Sequence, residues 1–279
     1  MKHDTLAEAG LSYFPYRYGS SRLFFRGPRR PLEGRYLAFV GGTETYGRFV
    51  ERPFSALVEE MTELPCVNLG QVNASVDAFM NEPAVDAVCH DAALNVVQVM
   101  GAHNMSNRFY TVHKRRNDRF LRASSVLRAI YPEVDFAEFC FTRHMLGTLL
   151  ARSPERFAIV RQELQAAWLA RMTLFLGEIG PRSLLLWFSD SLPSDIPWEE
   201  RENPLSIEPL FVTRSMLDSL RPRVRGVVMV QPSARARATG TQGMVFSPLH
   251  APAAANVPNP AAHHEAAEAL RGALKTAIG

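Results

Sequence analysis

Residues 37–50 read LAFVGGTETYGRFV, an apolar run that stops at two glycines and continues into a threonine, a glutamate and a second threonine. A short apolar run bounded by turn residues is typical of a buried strand. Residues 53–64, PFSALVEEMTEL, then carry apolar side chains at helical spacing after an initial proline. The stretch therefore predicts a buried strand, a polar turn and an amphipathic helix in succession.

The same alternation continues along the chain. Short apolar runs predict further strands at 66–70, 94–100, 183–189 and 226–231. Helical spacing predicts helices at 76–89, 214–220 and 260–278. Buried strands separated by helices form parallel sheets that are covered on both faces. We therefore predict an α/β fold in three α/β/α layers, with a mostly parallel five-stranded sheet.

The composition changes along the chain predict its domain organisation. Residues 1–35 combine aromatic and basic side chains with prolines and glycines, which predicts an extended N-terminal arm on a single domain, residues 36–279. Helical spacing predicts a helical insertion at about 106–180, between the third and fourth strands. In it, Arg115, Arg119 and Arg122 recur at intervals of four and three, as on one helix face. The aromatic arm could clasp a second copy, so we expect a homo-oligomer.

Composition argues against several classes of protein. The chain has 279 residues, is 47% hydrophobic and carries a formal net charge of +3, too small a basic excess to indicate nucleic acid. No apolar run approaches the ~18 residues of a membrane span. The three cysteines are scattered and no histidines have metal-ligand spacing, so we expect no metal and no cofactor. A cytoplasmic protein without membrane or nucleic-acid partners is the expectation.

Polar segments follow the first three predicted strands. They are GGTETYG, GQVNAS and GAHNMSN, in that order. Ligands of open parallel sheets bind outside the carboxyl ends of the strands. The sequence therefore predicts a substrate-binding site at this edge. Its candidate residues, with one arginine from the insertion, are Gly42, Glu44, Thr45, Gly70, Asn73, His103, Asn104, Asn107 and Arg115.

These segments resemble the motifs of the SGNH, or GDSL-type, esterase and acetyltransferase superfamily. FVGGTETYG stands where that superfamily has Gly-Asp-Ser, VNLGQVNAS is similar to its second block, and VMGAHNMSN is similar to its third. The likeness covers about 36–105 and 259–272, and the chain also looks like a divergent bacterial family of unknown function within that fold. It implies an SGNH-like, or flavodoxin-like, sheet.

The resemblance also implies roles for individual residues. Thr43 stands in the place of the serine nucleophile, while the Gly70 N–H and the Asn104 side chain are the oxyanion donors. His263 or His264 is the candidate base, and the chain lacks the superfamily's Asp-x-x-His. The implied activity is hydrolysis or transfer of an acyl ester on a polar, carbohydrate-like or anionic small molecule.

Two other functions fit the same residues. The first is a catalytically inactive module that binds a glycan or an anionic ligand through the asparagines and arginines. The second is transfer of a sulfate- or phosphate-type group, with Glu44 as base and the basic run 112–122, VHKRRNDRFLR, holding the donor. Only acyl transfer requires the Thr43 hydroxyl to lie within hydrogen-bond reach of an imidazole.

Overall fold

Five strands form one sheet in the computed structural model, which describes residues 10–201 and 203–278. In chain order the strands are β1 (Leu37–Val40), β2 (Cys66–Asn68), β3 (Leu94–Gln98), β4 (Tyr110–His113), β5 (Arg116–Ala123), β6 (Ser183–Phe188) and β7 (Gly226–Val230). The sheet has the order β2-β1-β3-β6-β7 with every neighbouring pair parallel, and β4 pairs only with β5. The predicted α/β fold is confirmed. Residues 1–9 of the predicted arm and Gly279 lie outside the described residues.

Ten α-helices connect and cover these strands within the described residues. They are α1 (Thr43–Tyr46), α2 (Phe54–Thr62), α3 (Pro83–Asp91), α4 (Ser125–Ile130), α5 (Thr142–Arg152), α6 (Pro154–Ile179), α7 (Arg214–Leu220), α8 (Ala234–Ala238), α9 (Ala251–Ala254) and α10 (Pro260–Ile278). Short 3-10 turns lie at Val76–Ala78, Phe136–Glu138, Trp198–Glu200, Pro204–Ser206, Arg221–Arg223 and Pro248–His250.

The sheet is buried on both faces because its side chains alternate between two apolar layers. Leu37 and Phe39 of β1 pack into the layer that holds α2 and α10. Ala38 and Val40 pack into the layer that holds α3 and α6. Burying one large apolar side chain contributes about 2 kcal/mol, so a strand with four buried residues is strongly held between the layers.

The strand order creates a crevice between β1 and β3. β2 lies on one side of β1 and β3 lies on the other, so the connections after these two strands leave in opposite directions. This order is the flavodoxin-like one, in which ligands bind at the carboxyl ends of the strands where the direction reverses. The fold therefore places a crevice where GGTETYG and GAHNMSN emerge.

The insertion between β3 and β6 differs from the all-helical prediction, because it begins with the antiparallel hairpin of β4 and β5. Asn117, Phe120 and Ala123 are the buried side chains of β5, at intervals of three. Two register shifts in the pairing with β4 produce this spacing, which in the sequence imitates a helix. Arg115 consequently lies in the hairpin turn, and Arg119 and Arg122 lie on a strand rather than on a helix face.

The described part of the N-terminal arm packs on its own chain. Tyr16 and Phe25 exchange two backbone hydrogen bonds of 3.1 and 2.9 Å, and Tyr18, Leu23 and Phe25 are buried in the larger core. Arg26 is also buried. Its guanidinium donates hydrogen bonds of 2.5–2.9 Å to four carbonyl oxygens in the segment 46–51. The arm therefore stabilises the loop that follows α1.

We expect Arg26→Ala to lower the free energy of unfolding by about 3 kcal/mol, because four carbonyl groups lose a charged donor in a buried place. Urea denaturation followed by tryptophan fluorescence measures this change. Arg29→Ala is the matched control, since Arg29 is exposed in the same arm, and should change stability by less than about 0.5 kcal/mol. Equal losses in the two variants would contradict the role assigned to Arg26.

Candidate functional site

A cavity of about 480 Å³ lies at the carboxyl ends of β1 and β3, and we call it the edge cavity. Its walls come from the turns after these strands, from β5, from the start of α5 and from the segments around Glu208 and Asn256. Its polar lining comprises Thr43, Glu44, Arg48, Asn73, Gln98, His103, Asn104, Asp118, Thr142, Arg143, Glu208 and Asn256. Volumes of this size accommodate a small organic molecule.

The side chain of Gln98, the last residue of β3, organises the floor of the edge cavity. Its Oε1 accepts hydrogen bonds from the backbone N–H of Gly42 at 3.0 Å and from the N–H of Thr45 at 3.1 Å. The Thr45 hydroxyl donates to the same atom at 2.6 Å. The Nε2 of Gln98 donates to Glu44 Oε2 at 2.5 Å. One buried amide therefore fixes the whole turn that presents Thr43 and Glu44.

A second network positions Thr43 and the two asparagines. Thr43 Oγ1 accepts a hydrogen bond from the backbone N–H of Asn73 at 2.9 Å and donates to Asn73 Oδ1 at 3.3 Å. Asn104 Nδ2 donates to the carbonyl of Asn73 at 3.3 Å, and the Thr142 hydroxyl donates to Asn104 Oδ1 at 2.6 Å. Asn73 Nδ2 donates to Asp118 Oδ2 at 3.2 Å. Both hydrogen bonds found for the Thr43 hydroxyl are thus with Asn73.

The carboxylates of the edge cavity differ in their surroundings. Burial raises the pKa of Glu44; the hydrogen bond from Gln98 opposes that shift, and the charge of Glu208 adds to it. Glu208 instead forms an ion pair with Arg143 and accepts the Leu210 N–H at 2.9 Å. Glu44 is therefore more readily protonated than a carboxyl group in water.

His103 is the imidazole that lines the edge cavity. Its ring is buried, and its Nδ1 has no hydrogen-bond partner among the described residues. Burial lowers the pKa of His103 to about 4, with Glu208 opposing the shift and Arg143 adding to it. The ring is therefore neutral at pH 7. A buried polar atom without a hydrogen-bond partner is uncommon in proteins and can indicate a functional site.

A second cavity of about 440 Å³, the adjoining cavity, shares five lining residues with the edge cavity. These are Glu44, Phe188, Glu208, Asn256 and Val257. Beyond them it is lined by backbone and side chains of the segments after β6 and before α10, including Asp190 and Arg237. Both carboxyl groups, of Glu44 and Glu208, therefore stand at the boundary between two neighbouring compartments.

Six residues predicted for the site converge on the edge cavity. They come from three separate loops, those that follow β1, β2 and β3, and they are Gly42, Thr43, Glu44, Asn73, His103 and Asn104. The polar segments after β1, β2 and β3 therefore lie together at one edge of the sheet. Their role in binding a substrate stays a prediction.

Two other predicted residues do not line the edge cavity and instead stabilise the turn after β1. Thr45 is buried, and its hydroxyl is engaged by Gln98. The Gly70 N–H donates to Asn68 Oδ1 at 2.9 Å, so this N–H is occupied, and a Cβ on Gly70 would overlap the backbone of Thr45 and Tyr46. Gly70 therefore permits close packing against α1. The backbone N–H that reaches the Thr43 hydroxyl belongs to Asn73, which has a positive φ of 57°.

Four more predicted residues do not line the edge cavity: Asn107, Arg115, His263 and His264. Asn107 caps its own loop by accepting the N–H groups of Phe109 and Tyr110 at 2.8 and 3.2 Å. Arg115 lines a different cavity, beside the arm. His264 is exposed on α10 and lines neither of the two cavities described above.

His263 is buried between aromatic rings on the α2 and α10 side of the sheet. It stacks on Phe54 at 5.7 Å between ring centroids and packs edge-on against Phe188 at 5.6 Å. Its Nδ1 accepts the Phe54 N–H at 3.1 Å, and burial lowers its pKa to about 3. The ring therefore caps the start of α2 as a neutral acceptor, and the structure does not bring it to Thr43.

Much of the cavity wall lies outside the segments that were predicted to form the site. Gln98 carried a signal, since it is the polar residue near the end of the otherwise apolar run LNVVQVM. No motif indicated the other polar residues of the wall, because they belong to the insertion and to the loop after β6. They are Asp118, Thr142, Arg143 and Glu208. Only the tertiary fold brings those segments over the ends of β1 and β3.

The fold and cavity define a parallel α/β protein with a polar crevice at the reversal point of its sheet. The chain belongs to the family described as a domain of unknown function (DUF6473), whose model matches residues 1–278. No curated protein matches the chain.

Two solved structures are similar to it at low identity. The lipase Lip_vut3 from a goat rumen metagenome is 14% identical with a TM-score of 0.44, over 86% of this chain and 97% of that one. A structural-genomics protein from Lactobacillus plantarum is 12% identical with a TM-score of 0.40, over 87% and 97%.

Residues 10–201 and 203–278 contain neither a candidate membrane span nor a candidate metal site. No helix in this part of the chain combines the length and apolar character that crossing a membrane requires. In the same residues, no three His, Cys, Asp or Glu side chains are grouped so that they could hold a metal ion.

Glu44→Gln should remove a pH-dependent cost to stability. Since the folded pKa of Glu44 is raised above 4.5, the folded state binds more protons, and wild-type stability falls as pH rises from 4.5 toward the folded pKa. The variant keeps an acceptor for Gln98 without that ionisation. Its stability relative to wild type should therefore grow with pH, at no more than about 1.4 kcal/mol per pH unit.

Urea unfolding of both proteins between pH 4.5 and pH 8 measures this difference. Glu33→Gln is the matched control, because it removes the same charge at an exposed position of the chain. A pH-independent difference for Glu44→Gln would show that this carboxyl group has an ordinary pKa.

Proposed function

We propose that the edge cavity binds a neutral, hydroxyl-rich small molecule of carbohydrate type. The observation that carries the proposal is the convergence of carboxyl and amide side chains from six separate segments on one cavity. Carboxylates accept hydrogen bonds from hydroxyl groups, and amides both donate and accept them. Phe141, which is 42% exposed, adds an aromatic surface at the rim against which a sugar ring can pack.

The charges of the edge cavity favour a neutral ligand over an anion. Arg143 is already paired with Glu208. Asp118 has no basic partner within ion-pair distance among the described residues and receives only an amide hydrogen bond, from Asn73. Arg48, whose guanidinium lies 4.6 Å from the ring centroid of Phe49, is the remaining basic residue of the wall. The basic run 112–122 contributes Asp118 to this cavity and none of its arginines.

The adjoining cavity supports an elongated ligand. Because it shares Glu44, Glu208 and Asn256 with the edge cavity, a molecule with two sugar-sized units would place one unit in each compartment. Asp190 is exposed in the second compartment and would meet the outer unit. The ligand class that fits both compartments is a disaccharide or a short glycan.

Acyl-ester hydrolysis or transfer, as in SGNH-type enzymes, is the second candidate. It is supported by the Asn73 N–H, 2.9 Å from Thr43 Oγ1, which would stabilise an oxyanion formed beside that hydroxyl. Against it, Thr43 Oγ1 has no hydrogen bond to an imidazole or a carboxylate among the described residues, and His263 is held elsewhere. Without a base to accept its proton the hydroxyl is a weak nucleophile, so binding is the better-supported function.

Calorimetric titration with glucose, N-acetylglucosamine, maltose and cellobiose tests the binding proposal. Asp118→Ala should weaken binding of every sugar that binds by about tenfold, because a charged acceptor is lost. Asp190→Ala should weaken the disaccharides only. Asp218→Ala, on the surface of α7, is the control and should change nothing. The proposal fails if none of the four sugars binds at millimolar concentration.

Thr43 substitutions test the second candidate. If Thr43 is a nucleophile, wild type and Thr43→Ser should hydrolyse p-nitrophenyl acetate or acetylated glucose, and Thr43→Ala should lose that activity. If Thr43 only binds, all three proteins should be equally inactive on these esters, while Thr43→Ala still binds the sugars more weakly. Hydrolysis that is equal in all three proteins would rule out Thr43 as the nucleophile.

A further inference from the structure

A third cavity of about 430 Å³ lies between the N-terminal arm and the β4–β5 hairpin, and we call it the hairpin cavity. It shares no lining residue with the edge cavity. Arg22 of the arm lines one side, and Lys114 and Arg115 of the hairpin turn line another. Arg171 of α6 lines it as well. Basic residues from three distant parts of the sequence therefore meet in one concave place.

The backbone of the hairpin turn is held in position by side chains. His113 Nδ1 accepts the N–H groups of Arg115 and Arg116, both at 3.2 Å. Asn117, which is buried, donates to the carbonyls of His113 and Lys114 at 3.1 and 3.3 Å. Its Oδ1 accepts the Ser75 N–H at 2.9 Å, which ties the turn to the body of the domain. Lys114 and Arg115 are thus presented from a fixed backbone, which lowers the entropy lost on binding a ligand.

The charges of the hairpin cavity do not balance. Arg171 is neutralised by an ion pair with Asp77 and also donates to the Ser106 carbonyl at 3.1 Å. The Glu82 carboxylate accepts the backbone N–H of Arg22 at 3.3 Å. Within the described residues, the side chains of Arg22, Lys114 and Arg115 have no carboxylate within ion-pair distance. Four basic and two acidic side chains line the cavity, which leaves it positive.

We propose that the hairpin cavity binds a small anion bearing a phosphate or sulfate group, through Arg22, Lys114 and Arg115. Guanidinium groups bind the oxygens of phosphate and sulfate through paired N–H donors, and an ammonium group adds a compact positive charge. A doubly charged group matches three unpaired cations better than a single carboxylate does. This site is independent of the proposed sugar site, since none of its residues lines the edge cavity.

Calorimetric titration of the full chain at constant ionic strength tests the proposal. The probes are inorganic phosphate, inorganic sulfate, glucose 6-phosphate and glucose. Binding of the three anions and not of glucose at this site is expected. Tighter binding of glucose 6-phosphate than of phosphate would identify a phosphate ester as the ligand, and equal affinity would identify the free ion.

Matched variants locate the binding. Arg115→Ala should weaken anion binding by about tenfold, and Arg22→Ala with Arg115→Ala should weaken it further. Arg116→Ala is the control, because Arg116 is exposed, next in sequence, carries the same charge and does not line the cavity. All three positions are exposed, so thermal unfolding should show folded proteins.

Equal weakening by Arg116→Ala, or no anion binding at millimolar concentration, would overturn the proposal. Loss of sugar binding alone would leave it intact.

Discussion

The amide of Gln98 is the interaction on which the edge cavity depends. Gln98 is buried at the carboxyl end of β3, where its Oε1 receives two backbone N–H groups and one hydroxyl from the turn after β1. A buried amide whose oxygen and nitrogen both have hydrogen-bond partners is stabilising, whereas the same group left unpaired would be costly. The Nε2 of Gln98 donates a hydrogen bond to Glu44 Oε2. The turn can therefore present Thr43 and Glu44 only while β1 and β3 are neighbours.

The β4–β5 hairpin connects the two electrostatically different cavities. Asp118 of β5 faces the edge cavity, where carboxyl and amide groups prevail. Its neighbour Asn117 faces the other way, where it is bonded to Ser75 and holds the basic turn. Adjacent residues of a strand point to opposite faces, so one short strand serves both places. The edge cavity and the positive hairpin cavity are thereby lined by adjacent residues of one strand.

Much of the fold could be predicted from the sequence, and so could the edge of the sheet at which the edge cavity lies. Each sheet strand was detected because a parallel strand covered on both faces forms a mostly apolar run, which is visible without coordinates. This holds for the fully buried β1, β2, β3 and β6 and for the half-buried β7. The hairpin was missed because its register shifts bury Asn117, Phe120 and Ala123 at a helical interval. His263 was placed beside Thr43 on the strength of a motif, whereas its ring fills an aromatic pocket over Phe54 and Phe188.

What the sequence determined by itself was local: burial of strands, polarity at their ends, and the turn GGTETYG that opens the crevice. What only the tertiary structure decided was which distant side chains share a cavity. Asp118, Thr142 and Glu208 complete the edge cavity, and Arg22 joins Arg115 in the hairpin cavity, through contacts between segments far apart in the chain. Hydrophobic periodicity reports the environment of each residue and carries no information on its partner across the fold. Chemistry that depends on partners is therefore visible only once the chain is folded.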